Sequence, residues 1–155
     1  RDACAHGVLA GYPVVNLKAT LLDGSYHPVD SSEMAFKTAA QLAYREGLKQ
    51  ANPVILEPIG YLKAYVPESI MGDIIGDINK RRGHIMGMGE SEKENLNLVE
   101  AEVPMSEMQK YATELRSMTQ GRGKFEFDFV RYEEAPANVA EKVIADSKYV
   151  DTEED

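Results

Sequence analysis

The hydrophobic positions change their period several times along this chain, and each change predicts an element. Residues 13–22, PVVNLKATLL, alternate: Val15, Leu17, Ala19 and Leu21 fall on one side, Asn16, Lys18 and Thr20 on the other. That is the pattern of a half-buried strand. A polar stretch, DGSYHPVDSS (23–32), follows. SSEMAFKTAAQLAYREGLKQ then takes up the helical period, with Phe36, Ala39, Ala40, Ala43 and Gly47 on one stripe. Asp30 is the expected N-cap, because Glu33 stands three residues on at capping-box spacing. The helix ends at ANP (51–53), since Pro53 disfavours helix at Asn52.

The pattern repeats more fully downstream. GYLKAYVP (60–67) reads as a strand, and ESIMGDIIGDINKRRG (68–83) as a helix with Ile70, Ile74, Ile75 and Ile78 on one face and Gly83 as its stop. HIMGMGESEKENLNLVEAEV (84–103) reads as two strands around a polar turn. SEMQKYATELRSMTQG (106–121) reads as a second helix, with Ser106 and Gln109 at capping-box spacing and Met108, Tyr111, Ala112 and Leu115 as its stripe. KFEFDFVRY (124–132) is a strand, and its Phe125, Phe127 and Phe129 are expected to face the core. PANVAEKVIAD (136–146) is a short terminal helix.

The strings VPESIM and VPMSEM, 37 residues apart, each end a strand and open a helix. In that register Ser69 pairs with Ser106, Met71 with Met108, Ile74 with Tyr111 and Ile78 with Leu115. Two such halves in tandem predict a ferredoxin-like split βαβ domain. Residues 1–51 offer too little to bury a core alone and read as the second half of another domain.

Composition and charge narrow the classes. The 155 residues are 43% hydrophobic and 28% charged, the balance of a globular chain. No apolar run approaches the roughly 20 residues that span a bilayer. No segment reads as a signal peptide. The single Cys4 fits a reducing compartment. The opening RDACAHG lacks a Met and reads as a piece of something longer. The net charge of −9 is uneven: residues 1–51 sum to zero, 52–131 to −3 and 132–155 to −6. The acidic end is expected to be a solvated, disordered tail (147–155). A binding face depends on local charge, so the global value does not exclude nucleic acid.

Candidate chemistry is sparse. There is no GxxxxGK[ST] loop, and the GMG and GRG strings read as turn glycines. His6, His27 and His84 lack metal-site spacing. Ser, His and Asp within one loop cannot form a triad, which needs a geometry built from separate segments. NKRRG (79–83) puts Lys80, Arg81 and Arg82 in the last turn of a helix. They either complement the helix dipole or contact phosphate. Arg116, Arg122 and Lys124 cluster around the end of the next helix and admit the same use. In the polar stretch, turn chemistry explains Gly24, Pro28 and Asp30. Tyr26 and His27 are suited to stacking and hydrogen bonding on RNA.

The strings LAGYPV, GSYHPVDSSEMAFK, LEP, GDI, RRG, VPMSEM, YATELRSMTQGRG and APANVA, in this order and spacing, resemble bacterial elongation factor G from about Gly7 to Ile144. The resemblance implies an α+β chain. Residues 1–51 would be the C-terminal half of domain IV, of ribosomal-protein-S5-like fold. Residues 52–146 would be ferredoxin-like domain V (βαββαβ) with its terminal helix. It implies a cytoplasmic, monomeric part of a GTPase that drives translocation of tRNA and mRNA on the ribosome. GTP and Mg²⁺ would belong to a G domain outside this sequence, leaving no catalytic site, cofactor or metal here. The loop Gly24, Ser25, Tyr26, His27, Pro28, Val29 and Asp30 would enter the small-subunit decoding centre. Domain V would face the sarcin–ricin loop and stalk base of the large subunit, with Lys80, Arg81 and Arg82 as candidate contacts. Ribosomal protection proteins and a ribosome-recycling paralogue share the architecture and stand as the alternative. A small metabolic enzyme on a ferredoxin-like scaffold is a more distant one.

Overall fold

The central strand β1 (Leu56–Val66) pairs antiparallel with β3 (Asn97–Pro104) on one side and β4 (Lys124–Glu134) on the other; β2 (His84–Glu90) completes the order β2-β3-β1-β4. A computed structural model describes residues 1–91 and 95–149. The chain divides into two units, one of Leu56–Glu134 and one of Arg1–Ile55 with Ala135–Asp155. In this division the terminal helix falls in the unit with residues 1–55, the first unit of the chain.

In the Leu56–Glu134 unit, α2 (Met71–Lys80) and α3 (Tyr111–Met118) close one face of the sheet. Connecting two strands through each helix gives the βαββαβ order and the ferredoxin-like arrangement that the repeat predicts. Both halves share a further detail. Pro67 and Pro104 each open a short 3₁₀ turn, Glu68–Ile70 and Met105–Met108, ahead of the helix. The register of the repeat is also the register of burial. Ile74 and Tyr111, and Ile78 and Leu115, are all core residues, with Leu62, Val66, Val99 and Val103 beneath them.

The second helix departs from expectation. It begins at Tyr111, not Ser106, because the chain breaks at Lys110 with φ of 64°. Ser106 makes no capping bond. Glu107 is held elsewhere: its carbonyl and carboxylate accept from Arg81 and Arg82. The first helix ends at Lys80, and its left-handed residue is Arg82 (φ 59°) rather than Gly83. Gly83 is required for closeness, since a Cβ there would lie 2.4 Å from the Ile78 side chain.

The phenylalanine stripe is partly outside the core. Phe127 packs against it, and Phe125 meets the Tyr111 ring edge-on at 5.1 Å, but Phe129 is 52% exposed and touches Tyr132 instead. β4 is an edge strand of the sheet. A bulge at Val130 sets the two ends of β4 out of phase: Phe129 opposes Gly60 while Arg131 opposes Ile59. Arg131 thus falls on the uncovered face, where it binds Glu102 through two bonds of 2.9 and 2.7 Å and also Glu133. Pro58 is tolerated in β1 because pairing with β3 starts only at Ile59.

In the other unit, α1 (Glu33–Gln50) forms as predicted, but Leu48 is its one buried residue and Phe36 is 49% exposed. The predicted strand over 13–22 does not form: the segment has no strand partner among the described residues, and Asn16 interrupts it with a φ of 58°. Leu21 and Leu22 are each 92% exposed. A strand is defined by its ladder, and alternation alone cannot supply one. α4 (Ala137–Asp146) starts at Pro136 as expected. Ser147–Tyr149 pack against residues of the same unit rather than fraying; 150–155 of the expected tail, and part of the turn between β2 and β3, lie outside the described residues.

Burial pushes the Tyr111 hydroxyl up to about 12, with Asp77 adding to the shift and Arg81 opposing it. A tyrosine raised in the folded state contributes stability that is present below its unfolded value near 10 and is lost as pH rises towards 12. Chemical denaturation of wild type and Tyr111→Phe between pH 9 and 12 should therefore diverge. Wild type should lose roughly 2 kcal/mol more than the variant over that window. At pH 7 the variant should stay within about 1 kcal/mol of wild type, because this hydroxyl has no hydrogen-bond partner among the described residues.

Candidate RNA-contacting loop

The loop from Gly24 to Asp30 is exposed at every residue and projects ahead of the N-terminus of α1. Its shape comes from short-range hydrogen bonds. Asp23 Oδ1 accepts the Gly24 N–H at 2.7 Å, which starts the turn. The His27 carbonyl accepts the N–H groups of Asp30 and Ser31 at 3.2 and 2.9 Å. Ser31 closes the turn from the other side, its Oγ accepting the His27 N–H at 2.8 Å. Both backbone groups of His27 are thus tied down, with Pro28 stiffening the segment between.

The cap is Ser32, not Asp30. Its Oγ accepts the Ala35 N–H at 3.1 Å, and its backbone is extended as an N-cap requires. Asp30 contributes its N–H to the turn instead. Two serines standing directly before Glu33 were the available signal. One caps the helix and the other locks the turn, which the spacing from Asp30 to Glu33 obscured.

These bonds leave the side chains of the loop outside the fold. Tyr26 is 68% exposed and Val29 93%. The loop carries no Lys or Arg, and the charged residues at its two ends are Asp23 and Asp30. It offers an aromatic face, an imidazole and free edges of backbone, with no concentration of positive charge. Among the described residues, no three His, Cys, Asp or Glu side chains gather where a metal could sit.

The three basic candidates of the other unit separate. Arg81 is buried: its Nε binds Asp77 at 2.8 Å, its other nitrogens bind the Glu107 carbonyl and the Glu114 carboxylate, and its guanidinium lies 5.0 Å from the Tyr111 ring centre. Arg82 grips both oxygens of Glu57 at 2.9 Å and Glu107 at 3.1 Å. The hydrogen bonds to Glu57 hold the Arg82 charge above its ordinary value, against the effect of burial. Both arginines are part of the fold, and Lys80 alone of the three is exposed. Arg116 and Arg122, at the end of α3, are exposed as well.

Comparison with known proteins places these features. The family model described as elongation factor G, domain IV, matches residues 1–52, and that described as elongation factor G C-terminus matches 54–143. The chain belongs to the elongation factor G family. The exposed loop lies in the domain IV part, and the ferredoxin-like sheet in the C-terminal part. A crystal structure of a protein from Thermus thermophilus is similar over 92% of this chain, at 42% identity and a TM-score of 0.81. This chain covers 21% of that one's length. The two family matches together take in nearly all of residues 1–143 of this chain. No helix among its described residues is long and apolar enough to cross a membrane.

Removing the cap separates the two serines. Ser32→Ala should lower stability of the helix that supports the loop by about 1 kcal/mol, whereas Ser32→Asp should leave it nearly unchanged. Amide exchange at Ala35, whose N–H the cap holds, reads the difference.

Proposed function

We propose that this chain is the ribosome-facing part of an elongation factor G that promotes GTP-dependent translocation of tRNA and mRNA. The loop of Gly24, Ser25, Tyr26, His27, Pro28, Val29 and Asp30 enters the small-subunit decoding centre. GTP and Mg²⁺ are handled by a G domain outside this sequence, and no residue here acts on them. The observation that carries the reading is the loop itself: every backbone bond that shapes it is local, and every side chain from Gly24 to Asp30 is exposed.

The role is steric. A stiff tip without positive charge occupies space beside the codon–anticodon helix and blocks return of the tRNA. Stacking and hydrogen bonding by Tyr26 and His27 tolerate any base sequence, as a translocase requires. The lack of Lys and Arg keeps the tip from binding RNA backbone strongly wherever it meets it.

In the full-length factor, His27→Ala should slow single-round translocation at least about tenfold while GTP hydrolysis changes little. Equal loss of both activities argues instead for a part in the GTPase cycle or the fold. Ribosome splitting without translocation by the unaltered factor would favour the recycling paralogue.

On the other unit, phosphate contact with large-subunit RNA, at the sarcin–ricin loop and stalk base, falls to exposed Lys80, Arg116 and Arg122. Arg81 and Arg82 are committed to carboxylates within the fold. Arg116→Ala and Arg122→Ala should each weaken ribosome binding and reduce its logarithmic salt slope by about 1. Arg82→Met should instead lower the unfolding midpoint, and change binding only as far as the folded fraction falls. A salt slope that drops with Arg82→Met at full folding would return that residue to the RNA contact.

A further inference from the structure

The three residues after α4 join a small cluster at the base of the first unit. Ser147 turns the chain out of the helix into an extended conformation. Its hydroxyl donates to the Ala10 carbonyl at 3.2 Å and accepts the Tyr149 N–H at 3.1 Å. The Tyr149 ring stacks on the His6 ring, with centroids 6.2 Å apart and planes 14° from parallel. It also lies over Gly11, where a Cβ would come within 2.6 Å of it and φ is +75°.

The turn beneath Tyr149 is closed by backbone bonds from Gly7 N–H to the Tyr12 carbonyl and from Val14 N–H to the Cys4 carbonyl, each 2.8 Å. Tyr44 of α1 reaches the same turn, its hydroxyl donating to the His6 carbonyl at 3.4 Å. Burial gives this turn little support: among residues 1–55, Gly7 and Leu48 are the buried ones. A segment with few buried contacts opens easily unless another contact holds it. The packed ring supplies that contact.

We propose that Ser147–Tyr149 form a clasp that holds the His6–Tyr12 turn closed and, through Tyr44, against α1. The clasp sets the direction in which the chain after Val14 leaves for the exposed loop. Gly11 admits it, being the residue type that both tolerates the positive φ and leaves room for the ring. This conformational device does not depend on the ribosomal role.

Amide hydrogen exchange on the 155-residue chain tests it. Tyr149→Ala should speed exchange at Gly7 and Val14 about tenfold while Leu62 and Val99 in the sheet keep their rates. Tyr149→Phe should retain protection, because the ring carries the contact. Gly11→Ala should also expose the turn, and should do less in the Tyr149→Ala background, where the ring it strikes is gone. Unchanged rates at Gly7 and Val14 in Tyr149→Ala, or an equal effect of Gly11→Ala in both backgrounds, would overturn the clasp. Should Tyr149→Ala also lose protection in the sheet, His6→Ala decides. Faster exchange at Gly7 and Val14 with the sheet intact supports the clasp, and unchanged exchange sinks it.

Discussion

Two adjacent arginines organise the ferredoxin-like unit. Arg81 joins the end of α2 to Asp77 on its own helix, to the Glu107 carbonyl and to Glu114 on α3. Arg82 joins the same point to Glu57 on β1 and to the Glu107 carboxylate. Charges this poorly hydrated persist only when their partners satisfy them, and removing one partner strands the others. The arrangement also accounts for two irregularities of the backbone. Arg82 is held in a left-handed conformation that a non-glycine residue seldom adopts. The turn carrying Glu107 is drawn away from the helix that follows, so that α3 starts several residues late.

The rest of that unit follows from covering one face of a four-stranded sheet with two short helices. The isoleucines of α2 and the Tyr111–Leu115 pair of α3 sit over β1 and β3, the inner strands. β4 lies at the edge and receives only part of that cover. Its bulge then moves Arg131 to the uncovered face, where a carboxylate on β3 awaits it. Arg131, Glu102 and Glu133 satisfy one another there.

The first unit obeys a different constraint. It is built less from burial than from local hydrogen bonds, at the turn at His27, the Ser32 cap and the turn at Gly7, with the long-range packing of Tyr149 on His6 added to them. Local bonds fix a shape without needing a core. The apolar stripe of α1 is left largely uncovered, and residues 13–22 form no strand among the described residues.

Much of this was legible in the sequence. Helical and alternating periods located α1, α2, β1, β4 and α4. The VPESIM–VPMSEM echo predicted the tandem halves and even which core residues correspond, because period and repeat are properties of the chain itself. The candidate loop was legible for the same reason: its turn residues act on their nearest neighbours. What the sequence could not decide were matters of partnership over distance. Whether Arg81 and Arg82 face solvent or carboxylates, whether 13–22 finds a ladder, how far the phenylalanine stripe is covered, and whether Tyr149 is a tail or a clasp each depend on groups brought together from far along the chain. Local pattern records what a residue is able to do, and only the packing selects the partner with which it does it.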